Sequence, residues 1–276
     1  MQTLRMTAIS ARGLEIRYGR TVALASSDFE IPEGSVAAII GPNGSGKSTL
    51  LNAIAGLVEP TDGSIQVKAD RSRLAYVMQS TKVNENLPVT VREVVAMGRY
   101  ASLGAYGRMR DDDRRAVDEA IERMAIGDIS DRHLHDLSGG QRQRVFVAQG
   151  LAQDHDMLLL DEPMTGVDIL TAQAIDEMVH AETHDGCTVV LTTHDLSEAR
   201  SADWVLLLAG RVAAWGRPDD VLTQDNLLAA YGPSLLHVNT GPIVLDDPAH
   251  RPVVGRHSHR DRSIHTESDR SGFHED

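Results

Sequence analysis

The chain has 276 residues, enough for one or two domains with a substantial core. Its composition, 41% hydrophobic and 4% aromatic, excludes a fibrous or wholly disordered chain. A net charge of -13, with Arg and Lys dispersed along the sequence, excludes a strongly basic nucleic-acid surface.

Residues 4–33 alternate apolar and polar positions and carry turn signals at Gly13, Gly19 and Pro32-Glu33-Gly34, which predicts short antiparallel strands. Tyr18, just before Gly19 and Arg20, reads there as a half-buried strand aromatic. An apolar run over residues 36–40 then leads into Gly41-Pro42-Asn43-Gly44-Ser45-Gly46-Lys47-Ser48-Thr49, followed by a helix-like segment to residue 56. This fits G-x-x-x-x-G-K-[ST] at every fixed position, in the required order of strand, loop and helix. Glycines let consecutive N–H groups point inward, and the helix adds the positive end of its dipole, so the loop suits a phosphate chain. Lys47 would place a charge on the terminal phosphates, and the Ser48 hydroxyl would be a magnesium ligand.

Two short strands are expected next, over residues 64–67 after the turn Thr61-Asp62-Gly63, and over residues 74–78 up to Gln79. The period then changes. Residues 87–100 contain Thr90-Val91-Arg92-Glu93, a capping-box spacing followed by apolar residues at helical intervals. Residues 111–124 open with three aspartates suited to a helix N-terminus. Residues 80–137 thus read as a helical insertion.

Leu137-Ser138-Gly139-Gly140-Gln141 precedes a further helical segment, residues 142–151, and Ser138 with Gln141 has capping-box spacing. Two adjacent glycines, each costing about 1 kcal/mol in a helix, are more than a plain cap requires. A bare backbone at a helix N-terminus is a second place for a phosphate. Residues 157–160 are apolar without alternation, which predicts a strand buried on both faces of a parallel sheet. It ends in Asp161-Glu162-Pro163, where ligands of open α/β sheets bind. Asp161 would hold magnesium through water, and Glu162 could accept a proton from an attacking water; a solvated acidic turn is the plain alternative. Residues 188–192 repeat the buried-strand pattern and lead to His194, either a structural histidine or a γ-phosphate contact. The single cysteine, Cys187, excludes an intrachain disulfide and reads as a small buried residue in a reducing compartment, with no chemistry assigned.

Asp195 and Glu198 are expected to cap the next helix, residues 204–215 to form a hairpin turning at Gly210-Arg211, and residues 219–231 to form one closing helix. Residues 233–276 carry prolines, mixed charges and His237, His250, His257, His259, His265 and His274, without apolar periodicity after about residue 245, so this tail is expected to be disordered. No run approaches the roughly 18 apolar residues of a membrane-spanning helix, and residues 1–12 lack the pattern of a secretory signal. The expected place is the cytoplasm, with any membrane role exercised through a partner.

The phosphate loop, Gln79, Leu137-Ser138-Gly139-Gly140-Gln141, residues 157–162 and His194 occur in the order and approximate spacing of an ABC-transporter ATP-binding subunit, which this chain resembles over residues 4–232. The resemblance implies an α/β P-loop NTPase fold with a mainly parallel core sheet, an antiparallel β subdomain and a helical subdomain over about residues 80–137. It implies ATP and Mg2+ as cofactors. Tyr18 resembles the aromatic that stacks on adenine. Gly41, Pro42, Asn43, Gly44, Ser45, Gly46, Lys47, Ser48 and Thr49 resemble the phosphate cradle. Gln79 resembles the residue that touches magnesium and the attacking water, Asp161 the magnesium residue, Glu162 the general base, His194 the switch histidine, and Asp168 the aspartate of the following loop. In the family two such domains form a sandwich, so Ser138, Gly139, Gly140 and Gln141 would meet the γ-phosphate held by the partner's Lys47.

Leu87-Pro88-Val89-Thr90-Val91, Met97-Gly98-Arg99-Tyr100 and Gly166-Val167-Asp168 resemble importers for zinc, manganese or iron, with Met164-Thr165 standing where that group commonly has Phe-Ala or Phe-Thr. Such a subunit is implied to act as a homodimer on integral-membrane permease subunits at the cytoplasmic face of the membrane. An extracytoplasmic metal-binding protein and no nucleic acid complete the implied set of partners. The tail suits Zn2+, His257 and His259 being its best chelating pair, although drift also enriches flexible tails in histidine. An iron-chelate or haem importer is the alternative, and a soluble ABC ATPase acting on DNA or ribosomes is another, disfavoured by the acidic charge. Residues 83–91 follow Gln79 directly and are expected to couple the site to the permease, so that a charged residue at Leu87 would uncouple transport.

Overall fold

The structure, a computed structural model, describes residues 6–78, 88–103 and 107–232. Gln79, Leu87, and the tail with His257 and His259, lie outside the described residues.

The chain opens with a long hairpin, β1 (Thr7–Tyr18) and β2 (Thr21–Pro32), joined at Gly19 and Arg20. Gly13, expected to be a turn, is instead a bulge: its φ is 56°, and the register shifts between Ala11 and Leu14, so β1 continues through it as one 12-residue strand. β3 (Val36–Ile40) leads to α1 (Lys47–Ile54), and β4 (Asp62–Val67) adds to the hairpin in the order β2-β1-β4, all antiparallel. β5 (Leu74–Val77) begins the second sheet.

Three helices follow: α2 (Val91–Met97), α3 (Tyr100–Leu103) and α4 (Asp111–Arg123). The predicted capping box of α2 is present, with Thr90 Oγ1 accepting from Glu93 N and Glu93 Oε2 accepting from Thr90 N at 2.7 Å. Both α2 and α4 pack on α5 (Gly139–Leu151). Arg99, buried between them, is the polar centre of this region. Its Nε donates to Asp113 Oδ1 at 3.0 Å, and its other nitrogens reach Asp154 and the Ala152 carbonyl beyond the end of α5. Asp113 Oδ2 in turn accepts from Arg110 N at the start of α4.

β6 (Met157–Leu160), α6 (Ile169–His184), β7 (Thr188–Thr193), α7 (Leu196–Ser201), β8 (Trp204–Leu208) and β9 (Val212–Gly216) complete the core sheet. Its order is β5-β6-β7-β3-β8-β9, parallel except for β9, which closes the edge as the expected hairpin. The predicted single closing helix is two, α8 (Pro218–Val221) and α9 (Gln224–Tyr231). Thr223 Oγ1 accepts from Asn226 N and starts a new helix where one continuous helix was expected. Glu198 does not cap α7; Asp195 does so alone, accepting from Ser197 N at 2.6 Å, while Glu198 accepts from Thr193 Oγ1.

Alternation along the core strands divides the interior into two apolar layers. Ala37, Ile39, Leu159, Val190 and Leu206 point with α1 toward the antiparallel sheet. Ala38, Ile40, Leu158, Leu160, Val189 and Leu207 point to the other layer, with α2, α4, α5 and α6. β3, β6 and β7 are buried at every position, as the unbroken apolar runs of residues 157–160 and 188–192 predict for the last two, whereas the edge strand β9 alternates half-buried and exposed. The mixed core sheet, antiparallel sheet and helical region match the predicted fold class.

Candidate active site

Parallel pairing places three strand ends side by side. Ile40 pairs with Thr193 and Leu160 with Leu191, so the loops that leave β3, β7 and β6 share one edge of the sheet. Gly41, His194 and Asp161 are the first residues of those loops. Val77 pairs with Leu160, so the chain toward Gln79 leaves the sheet beside Asp161.

The loop from Gly41 to α1 is closely packed. A Cβ at Gly41 would lie 2.3 Å from the Leu208 carbonyl oxygen and 2.7 Å from Ser45 Oγ, so only glycine fits. Lys47 is buried, and its Nζ donates to the Gly41 carbonyl at 2.9 Å and to the Pro42 carbonyl at 3.3 Å. The charge thus bends back over the loop's own backbone. Ser45 Oγ is buried and has no hydrogen-bond partner within the protein, an orphaned polar atom that a ligand oxygen can satisfy. Asn43, Gly44 and Ser48 are exposed, and Pro42, Gly46 and Thr49 half-buried, so the loop presents both backbone and hydroxyl to solvent. Tyr18 is 51% exposed at the hairpin tip, leaving its ring open for stacking.

On the β6 side, the buried Asp161 and half-buried Glu162 are held by one hydroxyl. Thr192 Oγ1 donates to Asp161 Oδ1 at 2.6 Å and accepts from Glu162 N at 2.8 Å. Glu162 adopts φ of 50°, a left-handed conformation that costs a non-glycine residue about 1 kcal/mol. Thr192 was read only as part of a buried strand; a threonine at the end of an apolar run was the available signal. Tyr76, beside this group, donates from its hydroxyl to Asn52 Oδ1 at 3.2 Å. Burial first, and the Asp161 charge second, push its phenol well above the usual range. His194 is exposed, with Nδ1 3.4 Å from Thr165 Oγ1 in the loop after Glu162.

The donor set fits Mg2+: the Ser48 hydroxyl and the Asp161 carboxylate are hard oxygen ligands, and the Thr192 bond occupies one Asp161 oxygen in the manner of an outer-shell support.

Ser138 and Gln141 form the predicted capping box, with Ser138 Oγ accepting from Gln141 N and Gln141 Oε1 from Ser138 N at 3.0 Å. Gly139 and Gly140 lie inside the first turn of α5, which begins at Gly139 rather than at the expected residue 142. The two glycines differ. Gly139 is exposed and a Cβ there would meet nothing within 4 Å, whereas Gly140 is buried and its Cβ would lie 2.7 Å from Asp168 Oδ2 and 3.0 Å from Thr171 Oγ1. Asp168 caps α6, accepting from Thr171 N at 3.0 Å and Thr171 Oγ1 at 2.9 Å, bonds that hold its carboxyl below the usual range. Within one chain α5 and α1 belong to opposite layers of the core sheet, so Ser138 to Gln141 and the phosphate loop are not brought together.

The sequence profile of the ABC transporter family matches residues 24–165. The zinc transport system ATP-binding protein TroB of Treponema pallidum is 42% identical over 231 residues, covering 82% of this chain and 87% of the relative. The manganese transport system ATP-binding protein MntA of Synechocystis sp. is 36% identical over 239 residues, covering 83% of this chain and 92% of the relative. Among solved structures, cbiO1 from Clostridium perfringens, part of the ABC transporter complex cbiONQ, superposes with a TM-score of 0.68 at 28% identity, over 81% of this chain and 94% of its own.

Proposed function

The chain belongs to the ABC transporter family and binds and hydrolyses ATP, and we propose that it energises a transition-metal importer whose first substrate is zinc. The observation that carries the chemistry is the register of β3, β7 and β6, which aligns Gly41, His194 and Asp161 at one sheet edge. The substrate reading is supported by the 42% identity to a zinc system; manganese is the second reading, supported by the 36% identity to a manganese system.

The residues take these roles. Loop amides from Gly44 to Thr49 and the Lys47 ammonium hold the phosphates, Lys47 exchanging the Gly41 and Pro42 carbonyls for phosphate oxygens. Ser48 and Asp161 would hold Mg2+, which when bound supplies neutralisation of phosphate charge. Glu162 accepts the proton of the attacking water, its left-handed backbone being held by the Thr192 hydroxyl at the amide. His194 and Gln79 contact the γ-phosphate and the attacking water, and Tyr18 stacks on the base.

Because α5 starts on the opposite layer from α1, the second phosphate lid would come from another copy of this chain, with Ser138, Gly139, Gly140 and Gln141 closing over its partner's loop. Permease subunits in the membrane, an extracytoplasmic metal-binding protein, and a station at the cytoplasmic face belong to the same proposal. Among the described residues no helix is long and apolar enough to cross a membrane. The test is uptake of radiolabelled zinc, manganese and iron by cells lacking this chain, complemented with wild type or Glu162→Gln. Loss of zinc uptake restored only by wild type is expected. Selective loss of manganese or iron uptake would replace zinc, and unchanged uptake of all three would remove the metal reading.

A further inference from the structure

Among the described residues, one group of metal-ligating side chains lies away from the nucleotide site. His155 is in the loop between α5 and β6, Glu182 is in the last turn of α6, and Cys187 immediately precedes β7. One ligand atom from each lies within 4.8 Å of the others, and all three side chains are largely buried. We propose that His155, Glu182 and Cys187 form a binding site for a thiophilic divalent cation of the Zn2+ kind, at the opposite end of the core sheet from the nucleotide. β7 has six residues, so about 20 Å of strand separates Cys187 from His194.

Three features of the geometry support a cation here. His155 Nδ1 hydrogen-bonds the Gln153 carbonyl at 2.8 Å, which fixes the ring and directs Nε2 at the cluster. Histidine ligands are oriented by this kind of outer bond. Glu182 is fixed in the same way, Arg123 pairing with Oε1 at 2.6 Å while Oε2 faces His155 Nε2 at 2.9 Å. The donors are one sulfur, one nitrogen and one oxygen, a set suited to Zn2+ or Co2+ and unsuited to Mg2+ or Ca2+. Ligand atoms around tetrahedral zinc are about 3.5 Å apart, given metal–ligand bonds of about 2.0–2.3 Å. Closing from 4.8 Å is therefore a side-chain rotation.

Charge also balances. With Nδ1 donating to Gln153, the 2.9 Å bond from Nε2 to the Glu182 carboxylate requires a second ring proton, and Cys187 donates its S–H to the Thr188 carbonyl at 3.6 Å. A dication that takes the place of these two protons leaves the local net charge unchanged. Burial then imposes no new uncompensated charge.

The chain has a single cysteine, so a thiolate-to-cobalt charge-transfer band can arise only from Cys187, whatever the tail histidines bind. Titrating Co2+ into the folded full-length chain without nucleotide is expected to give that near-ultraviolet band at one equivalent, bleached by Zn2+. Cys187→Ser should abolish it. His155→Gln and Glu182→Gln should each weaken Co2+ at least tenfold, with circular dichroism and ATP hydrolysis reporting that each variant is folded. Absence of the band from the folded wild type, or unchanged Co2+ affinity in a folded His155→Gln or Glu182→Gln chain, would overturn the proposal. It does not depend on the transported substrate.

Discussion

Thr192 Oγ1 donates to Asp161 Oδ1 at 2.6 Å and, through the same oxygen, accepts the Glu162 amide at 2.8 Å. One hydroxyl on β7 thus fixes both the carboxylate proposed to hold magnesium and the backbone of the proposed base. Thr192→Val keeps shape and removes the hydroxyl. A hydrogen bond to a charged group contributes about 1.5–3 kcal/mol, so kcat for ATP hydrolysis should fall about 10- to 100-fold. ATP binding, measured with a fluorescent analogue, should change little, because the phosphate loop is untouched. An equal loss in binding would mean that Thr192 serves folding of the whole edge.

The unequal glycines of α5 give a second prediction. Gly140→Ala forces a Cβ against Asp168 Oδ2 and Thr171 Oγ1 and should destabilise the chain by about 1–3 kcal/mol, as overpacking does. Gly139→Ala meets nothing and should leave thermal stability unchanged or slightly raised by better helix propensity. If Gly139 faces a second copy, its variant should nonetheless lose ATPase activity. Full activity in Gly139→Ala would argue against a lid at that position.

Glu162→Gln should bind ATP without turnover and accumulate as a dimer, read by size-exclusion chromatography with light scattering. A monomer at saturating ATP, in a variant that binds it, would contradict the two-copy site.

Arg99 is predicted to hold the helical region to the core. Removing one partner of a buried ion pair costs about 3–5 kcal/mol, and because Asp154 is largely in water, Arg99→Ala should cost about 3 kcal/mol in chemical denaturation. The pH dependence has a definite sign. The Arg110 amide, then Arg99, holds Asp113 below the usual carboxylate range, and the Arg99 hydrogen bond does the same for Asp154. Folded carboxyls with depressed pKa contribute stability that is complete above the unfolded value of about 4 and is lost as pH falls through it toward the folded values. Thermal midpoints between pH 7 and pH 3 should therefore fall more steeply for wild type than for Arg99→Ala.

Features carried by adjacent residues were legible in the sequence. The loop from Gly41 to Thr49, the Thr90–Glu93 and Ser138–Gln141 boxes, and the double-buried strand before Asp161 each have their causes within about nine residues. Other features depend on distant chain. Thr192 matters because Asp161 and Glu162, some 30 positions earlier, lie beside it in the sheet. Gly13 resembles a turn residue, and only pairing with β2 and β4 makes it a bulge. Arg99, noted for its place in Met97-Gly98-Arg99-Tyr100, has its explanation in Asp113 and Asp154. Gly140 owes its bare Cα at least partly to Asp168 of its own chain, where the sequence suggested only a phosphate.

The two apolar layers carry a consequence for strand alignment. A strand with one wet face cannot slip by one position without exposing its core side, but β6 and β7 are dry on both faces, so hydrophobicity alone would tolerate Leu158 and Leu159 exchanging layers. Polar bonds at the two ends of β7 forbid that slip: Thr188 Oγ1 accepts the Gly34 amide at one end, and Thr192 binds Asp161 at the other. The contact that arms the proposed catalytic carboxylates is thereby also a registration mark, and a sheet assembled one step out of phase would lose its chemistry and its alignment together.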